Sequence, residues 1–156
     1  MAHIVTIVYT PADVERRPED HFARVPLARA VLLEGHGIAG DIKGRNDSRQ
    51  LNVMLVETVE QLRAEGFRTA PGELGEQIVI AGLEPDTVAA GVRLRLGETA
   101  VIEIIYPRVP CSRFARIQGH PKDAARGRIG FMARVVRGGE ISVGNPVHLE
   151  QPTSDG

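Results

Sequence analysis

The residues best suited to chemistry lie within residues 106–120, a stretch that contains the chain's single cysteine, Cys111. A thiol attacks a substrate or binds a soft metal as the thiolate, and nearby cations or a helix N-terminus favour that form. An isolated cysteine is otherwise usually a small buried hydrophobe. Because this stretch contains no acidic residue, we predict that Cys111 is functional. Its basic residues are Arg108, Arg113, Arg116 and His120.

Two prolines and a glycine predict how the backbone presents this thiol. Pro107 and Pro110 favour an extended backbone up to the cysteine, because the residue before a proline avoids helical angles. Residues 112–118 are then predicted to form a short helix that ends at Gly119. The thiol is therefore expected at the entrance of a helix.

A glycine-rich stretch forms a second candidate site. Residues 35–40 match the pattern G-x-G-x-x-G, but a dinucleotide-binding fingerprint also needs a following helix and a later acid at a strand end. Neither is predicted here, so we exclude a Rossmann fold. The loop can still hold an anion with its backbone N–H groups and with Lys43, Arg45 and Arg49. A simple turn that needs positive φ explains the glycines equally well.

Two carboxylates, Glu73 and Glu76, lie in the tight loop of residues 71–76. A pair of acids can act as general acid and base. Loop acids are more often solvated, so catalysis by this pair is the weaker interpretation.

The charge distribution favours an anionic small molecule over a nucleic acid. The formal net charge is −1, whereas non-specific binding to phosphate backbones needs an excess of basic groups. Residues 108–137 nevertheless hold seven arginines and one lysine against the single acid Asp123. Because a guanidinium binds phosphate or carboxylate with two parallel hydrogen bonds, this segment suits a phosphorylated or carboxylated ligand.

Several other site patterns are absent from the sequence. The histidines, at positions 3, 21, 36, 120 and 148, show no zinc-ligand spacing, and no G-x-S-x-G or P-loop pattern occurs. One cysteine cannot form an intramolecular disulfide, and the first residues lack the features of a signal peptide. No apolar segment approaches the roughly 20 residues that cross a bilayer. We expect a cytoplasmic protein without a membrane partner.

Periodicity and turn residues predict a mainly β fold, a closed or half-closed β-barrel with a few short helices. One convincing helix begins at Thr58 as N-cap and ends at Gly66, and a hairpin is predicted about residues 138–139. The chain is expected to form one domain over residues 1–156, with its core at about 26–149, a loop or flap at 11–24 and a frayed tail at 151–156. Strands are predicted at 3–10, 27–33, 50–56, 77–80, 92–96, 100–106, 131–136, 141–143 and 146–149.

Four pieces occur in order along the chain: Gly37 to Asp41 followed by Arg49, residues 71–76, residues 91–97 and residues 107–111. Together they resemble a MOSC domain, the module of molybdenum cofactor sulfurases, amidoxime-reducing enzymes and free-standing bacterial proteins. The resemblance implies a β-barrel and a functional cysteine at Cys111, which either ligates molybdenum in the pterin cofactor or carries sulfur as a persulfide. This chain has Lys43 where many relatives have a histidine.

The leading hypothesis is a protein that binds the molybdenum cofactor, with Cys111 as the metal ligand. Arg108, Arg113 and Arg116 would hold the phosphate, and Asp41 or Glu76 would hydrogen-bond the pterin, with Asp41 and Cys111 as the catalytic candidates. The glycine loop would help through Gly40, Lys43 and Arg49. An enzyme of this kind would reduce an N- or S-oxygenated small molecule with electrons from a separate donor protein, because the sequence shows no flavin or iron–sulfur motif.

Two alternatives remain open from the sequence. In the first, Cys111 accepts sulfur from a desulfurase and passes it on as a sulfurtransferase would. In the second, the arginine-rich segment belongs to a non-catalytic module that binds an anion or a partner protein. The sequence is compatible with a monomer or a homodimer.

Overall fold

A computed structural model describes residues 1–13, 20–44 and 50–150 of the chain. The proposed phosphate ligand Arg49, its neighbour Arg45, the middle of the predicted flap and the predicted tail lie outside these residues. Within the described ranges the backbone forms two sheets and two α-helices.

The strands follow the predicted order closely, and most are short. They are β1 His3–Tyr9, β2 Val25–Leu27, β3 Arg29–Leu33, β4 Gly37–Ile38, β5 Leu51–Leu55, β6 Ile78–Ala81, β7 Arg93–Leu96, β8 Ala100–Pro107, β9 Phe131–Arg137, β10 Gly139–Ser142 and β11 Val147–Glu150. The helices are α1 Val56–Ala64 and α2 Ser112–Gln118.

The larger sheet has the strand order β11-β7-β8-β9-β5-β6-β1-β2, and the smaller has the order β10-β3-β4. Neighbouring strands are antiparallel except β5 and β6, which are parallel. Two parallel neighbours need a long crossover between them. The segment that contains α1 provides this crossover, because it connects the end of β5 to the start of β6.

The predicted mainly β fold is confirmed, but the predicted barrel is not. Neither sheet closes on itself within the described part of the chain. The inner faces of the two sheets instead share one hydrophobic core, in which Leu32 and Ile141 of the smaller sheet lie with Ile80 and Ile102 of the larger one. The buried residues alternate with exposed ones along β3, as expected for a strand with one face on the core.

The predicted hairpin about residues 138–139 is wrong. β9 belongs to the larger sheet, whereas β10 pairs with β3 in the smaller one, where Ile141 lies opposite Ala30. The two glycines allow close backbone approach at this crossing. A Cβ atom at Gly138 would lie 2.7 Å from the carbonyl oxygen of Leu32, and one at Gly139 would lie 2.3 Å from Thr99 Oγ1.

Helix α1 exists as predicted but starts two residues before the predicted cap. Its N-cap residue is Leu55, which makes no side-chain capping bond, and Thr58 lies in the first turn. The cause is the direct passage of β5 into the helix, which leaves no residue free for a separate capping turn. Val59 and Leu62 are the buried face of the helix, and the chain leaves it at Gly66.

A second hydrophobic cluster anchors α2. Phe114, which is 1% exposed, packs with Leu62 of α1, with Phe67 and with Leu74. Gly119 ends α2 in the left-handed conformation, with φ of 69°, so this helix matches the prediction residue for residue. In the ranges the structure covers, no helix is long and apolar enough to cross a membrane.

Candidate functional site

Cys111 stands at the entrance of α2, as the sequence predicts. It is the N-cap residue, with an extended backbone, and its Sγ accepts a hydrogen bond of 3.5 Å from the backbone N–H of Phe114. The backbone N–H of Arg108 donates to the carbonyl oxygen of Gly130 at 2.9 Å, which ties the approach to the cysteine to the start of β9. The thiol is exposed, so Cys111 is not a buried core residue.

The thiol opens onto a cavity of about 270 Å³. This volume lies just below the range of about 300–1,000 Å³ that is usual for small-molecule sites. Of the described residues that line it, four are cations and none carries a carboxylate. The lining residues are Phe22, Arg24, Lys43, Asn52, Gly75, Gln77, Arg108, Cys111, Arg113 and Met132.

The cavity brings together part of the predicted site. Lys43, Arg108, Arg113 and Cys111 come from two distant segments and all line it. The other described candidates do not line it. They are Gly40, Asp41, Glu76 and Arg116.

Arg108 is held in place from several sides. Its Nη1 donates a hydrogen bond of 2.6 Å to the carbonyl oxygen of Leu74, and its guanidinium carbon lies 5.7 Å and 5.5 Å from the ring centroids of Phe22 and Phe114. A Cβ atom at position 75 would lie 2.7 Å from Arg108 Nη2, so glycine leaves room for the guanidinium there. Arg108 is therefore a preorganised cation at the cavity wall.

Phe22 and Arg24 form another part of the wall. The guanidinium of Arg113 lies 4.8 Å from the ring centroid of Phe22, and its Nη2 donates to the carbonyl oxygen of His21 at 3.2 Å. Cation–π contacts of this kind contribute about 0.5–1 kcal/mol at exposed sites. Phe22 thus connects the two cavity arginines that flank Cys111 in the sequence.

Arg24 is a cavity cation that sequence analysis missed. Its Nη1 donates to Thr10 Oγ1 at 3.1 Å, and its Nη2 donates to the carbonyl oxygen of Gly75 at 3.0 Å. Burial lowers the pKa of Arg24, and the negative charges of Asp41 and Glu76 oppose that shift. Nothing in the polar segment around position 24 distinguishes this arginine, because its partners lie in distant parts of the chain.

Asp41 is buried behind the cavity and organises the glycine loop. Its Oδ1 accepts hydrogen bonds from the backbone N–H groups of Thr10 at 3.2 Å and Lys43 at 3.0 Å. Its Oδ2 accepts one from Gln77 Nε2 at 3.3 Å. Asp41 therefore fixes the backbone that carries Lys43 and the amide of Gln77, and both of these residues line the cavity.

Two buried amides, on Asn52 and Gln77, form the inner wall, and sequence analysis missed both. Gln77 Oε1 accepts the backbone N–H of Asn52 at 2.6 Å, and Asn52 Nδ2 donates to the carbonyl oxygen of Gly75 at 3.3 Å. Asn52 lies in β5 and Gln77 immediately precedes β6. A polar residue within or beside an apolar strand was the only sequence signal that could have identified them. Asn52 Oδ1 and Arg24 Nε are buried without a hydrogen-bond partner among the described residues, as are Thr6 Oγ1 and Arg95 Nε, whose residues do not line the cavity.

The remaining candidates take structural positions. His120 stacks on Phe67 with ring centroids 3.9 Å apart and an interplanar angle of 11°, and its Nε2 lies 3.3 Å from the carbonyl oxygen of Gly66. Arg116 is exposed on α2. The parts of the chain with assigned coordinates contain no group of three or more His, Cys, Asp or Glu placed to bind a metal ion.

Glu76 holds its own loop together. Its Oε2 accepts the backbone N–H of Gly72 at 2.8 Å, and its Oε1 accepts that of Leu74 at 3.2 Å. Burial raises the pKa of the Glu76 carboxyl above its ordinary value of 4.5, although these hydrogen bonds and Arg24 oppose the shift. The carboxylate thus orients the loop whose carbonyl groups bind Arg24 and Arg108.

Above a pH of about 4.5, Glu76 is expected to lower the free energy of unfolding as the pH rises. We expect the Glu76→Gln substitution to remove this part of the pH dependence. A raised pKa in the folded state means that the folded protein holds this proton more tightly than the unfolded chain does. This contribution is fully present below the unfolded pKa of 4.5 and is lost as the pH rises through the folded value. The slope has an upper limit of about 1.4 kcal/mol per pH unit for one proton.

Urea unfolding between pH 4.5 and pH 8 measures this slope. Glu73→Gln is the matched control, because Glu73 lies in the same loop but is partly exposed and pairs with Arg68. The control should keep the wild-type slope. An unchanged slope in the Glu76 variant would mean that Glu76 does not titrate in this window.

The sequence model of the MOSC domain family matches residues 39–148, which include Cys111 and every described cavity residue except Phe22 and Arg24. Among curated proteins, a protein named "Reductase" from Gibberella moniliformis is 31% identical over 86 residues, which cover 52% of this chain and 15% of that protein. The uncharacterized protein YflK from Bacillus subtilis is 34% identical over 79 residues, covering 48% of this chain and 35% of YflK. The matches therefore span only a minor part of either relative's length.

Solved structures show the same fold. YiiM from Geobacillus stearothermophilus superposes with a TM-score of 0.70 at 20% identity, covering 99% of this chain and 78% of YiiM. The YuaD protein from Bacillus subtilis superposes with a TM-score of 0.73 at 20% identity, covering 97% of this chain and 98% of YuaD. At this level of identity the likeness establishes the architecture alone.

Proposed function

The chain belongs to the MOSC domain family, and from this premise we propose that it binds the molybdenum cofactor in the cavity beside Cys111. The observation that carries the proposal is the composition of the cavity wall, in which the described residues bring an exposed thiol and four cations to one space and include no carboxylate. Such a wall suits a ligand that has both a soft metal and a phosphate.

The donor set of the cavity fits this cofactor. Cys111 is the one thiol of the chain, and no cluster of metal-binding side chains surrounds it in the described residues. A metal held here would therefore need a cofactor that brings further ligands of its own. The buried amides of Asn52 and Gln77 supply hydrogen-bonding groups for a polar ring.

Each residue has a defined role in this proposal. The Cys111 thiolate ligates the metal, while Arg108, Arg113 and Lys43 hold the phosphate. Asp41 acts as a positioning residue, since it fixes the backbone of Lys43 and the amide of Gln77. Arg116 is not included, because it does not line the cavity.

The proposed reaction is the two-electron reduction of an N- or S-oxygenated small molecule. The bound cofactor would supply the two-electron chemistry, and a separate donor protein would supply the electrons. The name of the relative from Gibberella moniliformis supports a reductase. None of the described residues that line the cavity carries a carboxylate.

We expect Cys111→Ser to lose at least nine-tenths of the molybdenum that copurifies with the wild-type protein. The serine hydroxyl is a hard, weakly acidic ligand that does not replace a soft thiolate. Metal analysis and pterin fluorescence would be measured on both proteins, purified from a host supplied with molybdate. As a control, circular dichroism should show that the Cys111→Ser variant is folded. Equal molybdenum in both proteins would remove Cys111 from the metal site.

A second function, sulfur transfer, is favoured by one observation, the exposure of the chain's single cysteine. The Cys111 thiolate would attack the outer sulfur of a desulfurase persulfide, and the desulfurase cysteine would leave as a thiolate. A second cysteine would release this sulfur as hydrosulfide by forming a disulfide with Cys111, and the sequence contains only one cysteine. Molybdenum absent from both proteins, together with a mass increase of one sulfur on wild type alone, would favour this function.

A further inference from the structure

Two positively charged side chains of the cavity wall converge on one aromatic ring, that of Phe22. The guanidinium carbons of Arg113 and Arg108 lie 4.8 Å and 5.7 Å from its centroid. All three residues line the cavity. The face of an aromatic ring attracts a cation that lies within about 6 Å of the ring centroid. The ring therefore helps to keep two like charges on the same part of the wall.

The segment that carries this ring is fixed at both ends. Arg68 donates a hydrogen bond to the carbonyl oxygen of Asp20 at one end, and Arg24 donates to the carbonyl oxygen of Gly75 at the other, both at 3.0 Å. The edge of the ring also reaches Gly75, where a Cβ atom would lie 3.1 Å from Phe22 Cζ. The ring is therefore held in a defined position in the ligand-free protein.

The two guanidinium groups depend on the ring to different degrees. Arg108 has support from elsewhere, because it donates to the carbonyl oxygen of Leu74 at 2.6 Å and lies 5.5 Å from the ring centroid of Phe114. Arg113 lies closer to the ring and also donates to the carbonyl oxygen of His21 at 3.2 Å, so both of these contacts come from the segment that carries the ring. Loss of the ring is therefore expected to disturb Arg113 more than Arg108.

We infer that Phe22 is a positioning residue of an anion site, in which it holds the Arg113 guanidinium at the cavity wall for a phosphate group. A phenylalanine ring has no hydrogen-bonding group and its face is negatively charged, so it acts on an anion through the guanidinium. The inference rests on the proposed function, which supplies the phosphate. It gives a role to a residue outside residues 39–148, which the sequence model of the family matches.

Isothermal titration with inorganic phosphate at low ionic strength tests this role. We expect Phe22→Leu to weaken phosphate binding about three- to tenfold, because the anion must then order an arginine that the ring no longer holds. The same substitution should leave the affinity of the Arg113→Gln protein unchanged, since that protein has no guanidinium at position 113. In the Arg108→Gln protein it should weaken binding as it does in the wild type.

The matched control is Phe131→Leu, which removes another half-buried ring. Phe131 lies on β9, packs against the hydrophobic core and is not among the residues that line the cavity. This variant should bind phosphate as the wild type does. Urea unfolding of the ligand-free proteins gives the effect of each substitution on stability. Phosphate affinity that falls in parallel with stability in both variants would show a general effect on the fold and overturn the inference.

The other outcomes separate this inference from the proposed function. Wild-type phosphate affinity of Phe22→Leu would overturn the inference, as would equal weakening in the wild-type and Arg113→Gln proteins. A wild-type protein that contains molybdenum but does not bind inorganic phosphate would overturn the inference and leave the metal site standing. A wild-type protein without molybdenum, in which phosphate binding still depends on Phe22 through Arg113, would overturn the proposed function and leave the positioning role standing.

Discussion

Arg113→Glu is expected to weaken the binding of a phosphorylated pterin by about 10- to 100-fold, which corresponds to about 1.4–2.8 kcal/mol. Arg113 lines the cavity and is held there by Phe22 and the carbonyl oxygen of His21. The substitution replaces an attractive charge with a repulsive one near the phosphate. At an effective dielectric constant of about 20, two charges several ångströms apart interact by a few kcal/mol, which is enough for this effect.

The matched control for this prediction is Arg116→Glu on the same helix. It makes the same charge change one helical turn away, but Arg116 is exposed and does not line the cavity. Relative to the wild type, only the Arg113 variant should bind the phosphorylated pterin more weakly. The affinity difference between this variant and the wild type should be smaller at moderate salt than at low salt, because salt screens the charges. Equal losses in the two variants would show that a diffuse field, rather than the cavity, binds the anion.

Gly130→Ala is expected to destabilise the protein by about 2–5 kcal/mol. Gly130 has φ of 91°, where an alanine costs about 1–2 kcal/mol. The added Cβ would also lie 2.4 Å from the carbonyl oxygen of Val53 and 2.6 Å from Met54 Cγ, so β5 and the start of β9 would have to separate. Overpacking of this kind costs about a further 1–3 kcal/mol.

Gly127→Ala separates the two terms of this prediction. Gly127 has a similar φ of 81°, but a Cβ atom there would meet no atom within 4 Å. Urea unfolding should therefore show a loss of about 1–2 kcal/mol for this control. Similar losses at both positions would mean that backbone strain alone causes the loss of stability. Val53 and Met54 would then move enough to accommodate the new methyl group.

Local signals predicted the element that carries the thiol. The bounds of α2 and the N-cap position of Cys111 follow from a proline before the cysteine and a glycine seven residues after the helix begins. Such signals act within a few residues of the chain, so they do not depend on the rest of the fold. The same reasoning placed the start of α1 wrongly. The capping pattern predicted an N-cap at Thr58, but β5 runs directly into the helix and Leu55 is the N-cap residue.

Strand pairing needed the whole chain. The glycines at 138–139 have the composition of a hairpin turn, yet they carry the chain from one sheet to the other, because Ile141 is buried opposite Ala30 on β3. A sequence shows that a segment alternates between apolar and polar residues, but it does not show which distant strand covers its apolar face. The barrel prediction was not confirmed, because closure of a sheet also depends on which distant strands pair.

The sequence by itself determined the β-rich class, the family resemblance and the position of the one thiol among cations, since each depends on residue type and short spacing. Only the tertiary structure decided which cations face that thiol. It selected Arg108, Arg113 and Lys43, left out Arg116, and added Arg24 with the amides of Asn52 and Gln77. Convergence of this kind depends on contacts between residues far apart in the chain, such as Arg24 with Gly75, and no local pattern encodes them.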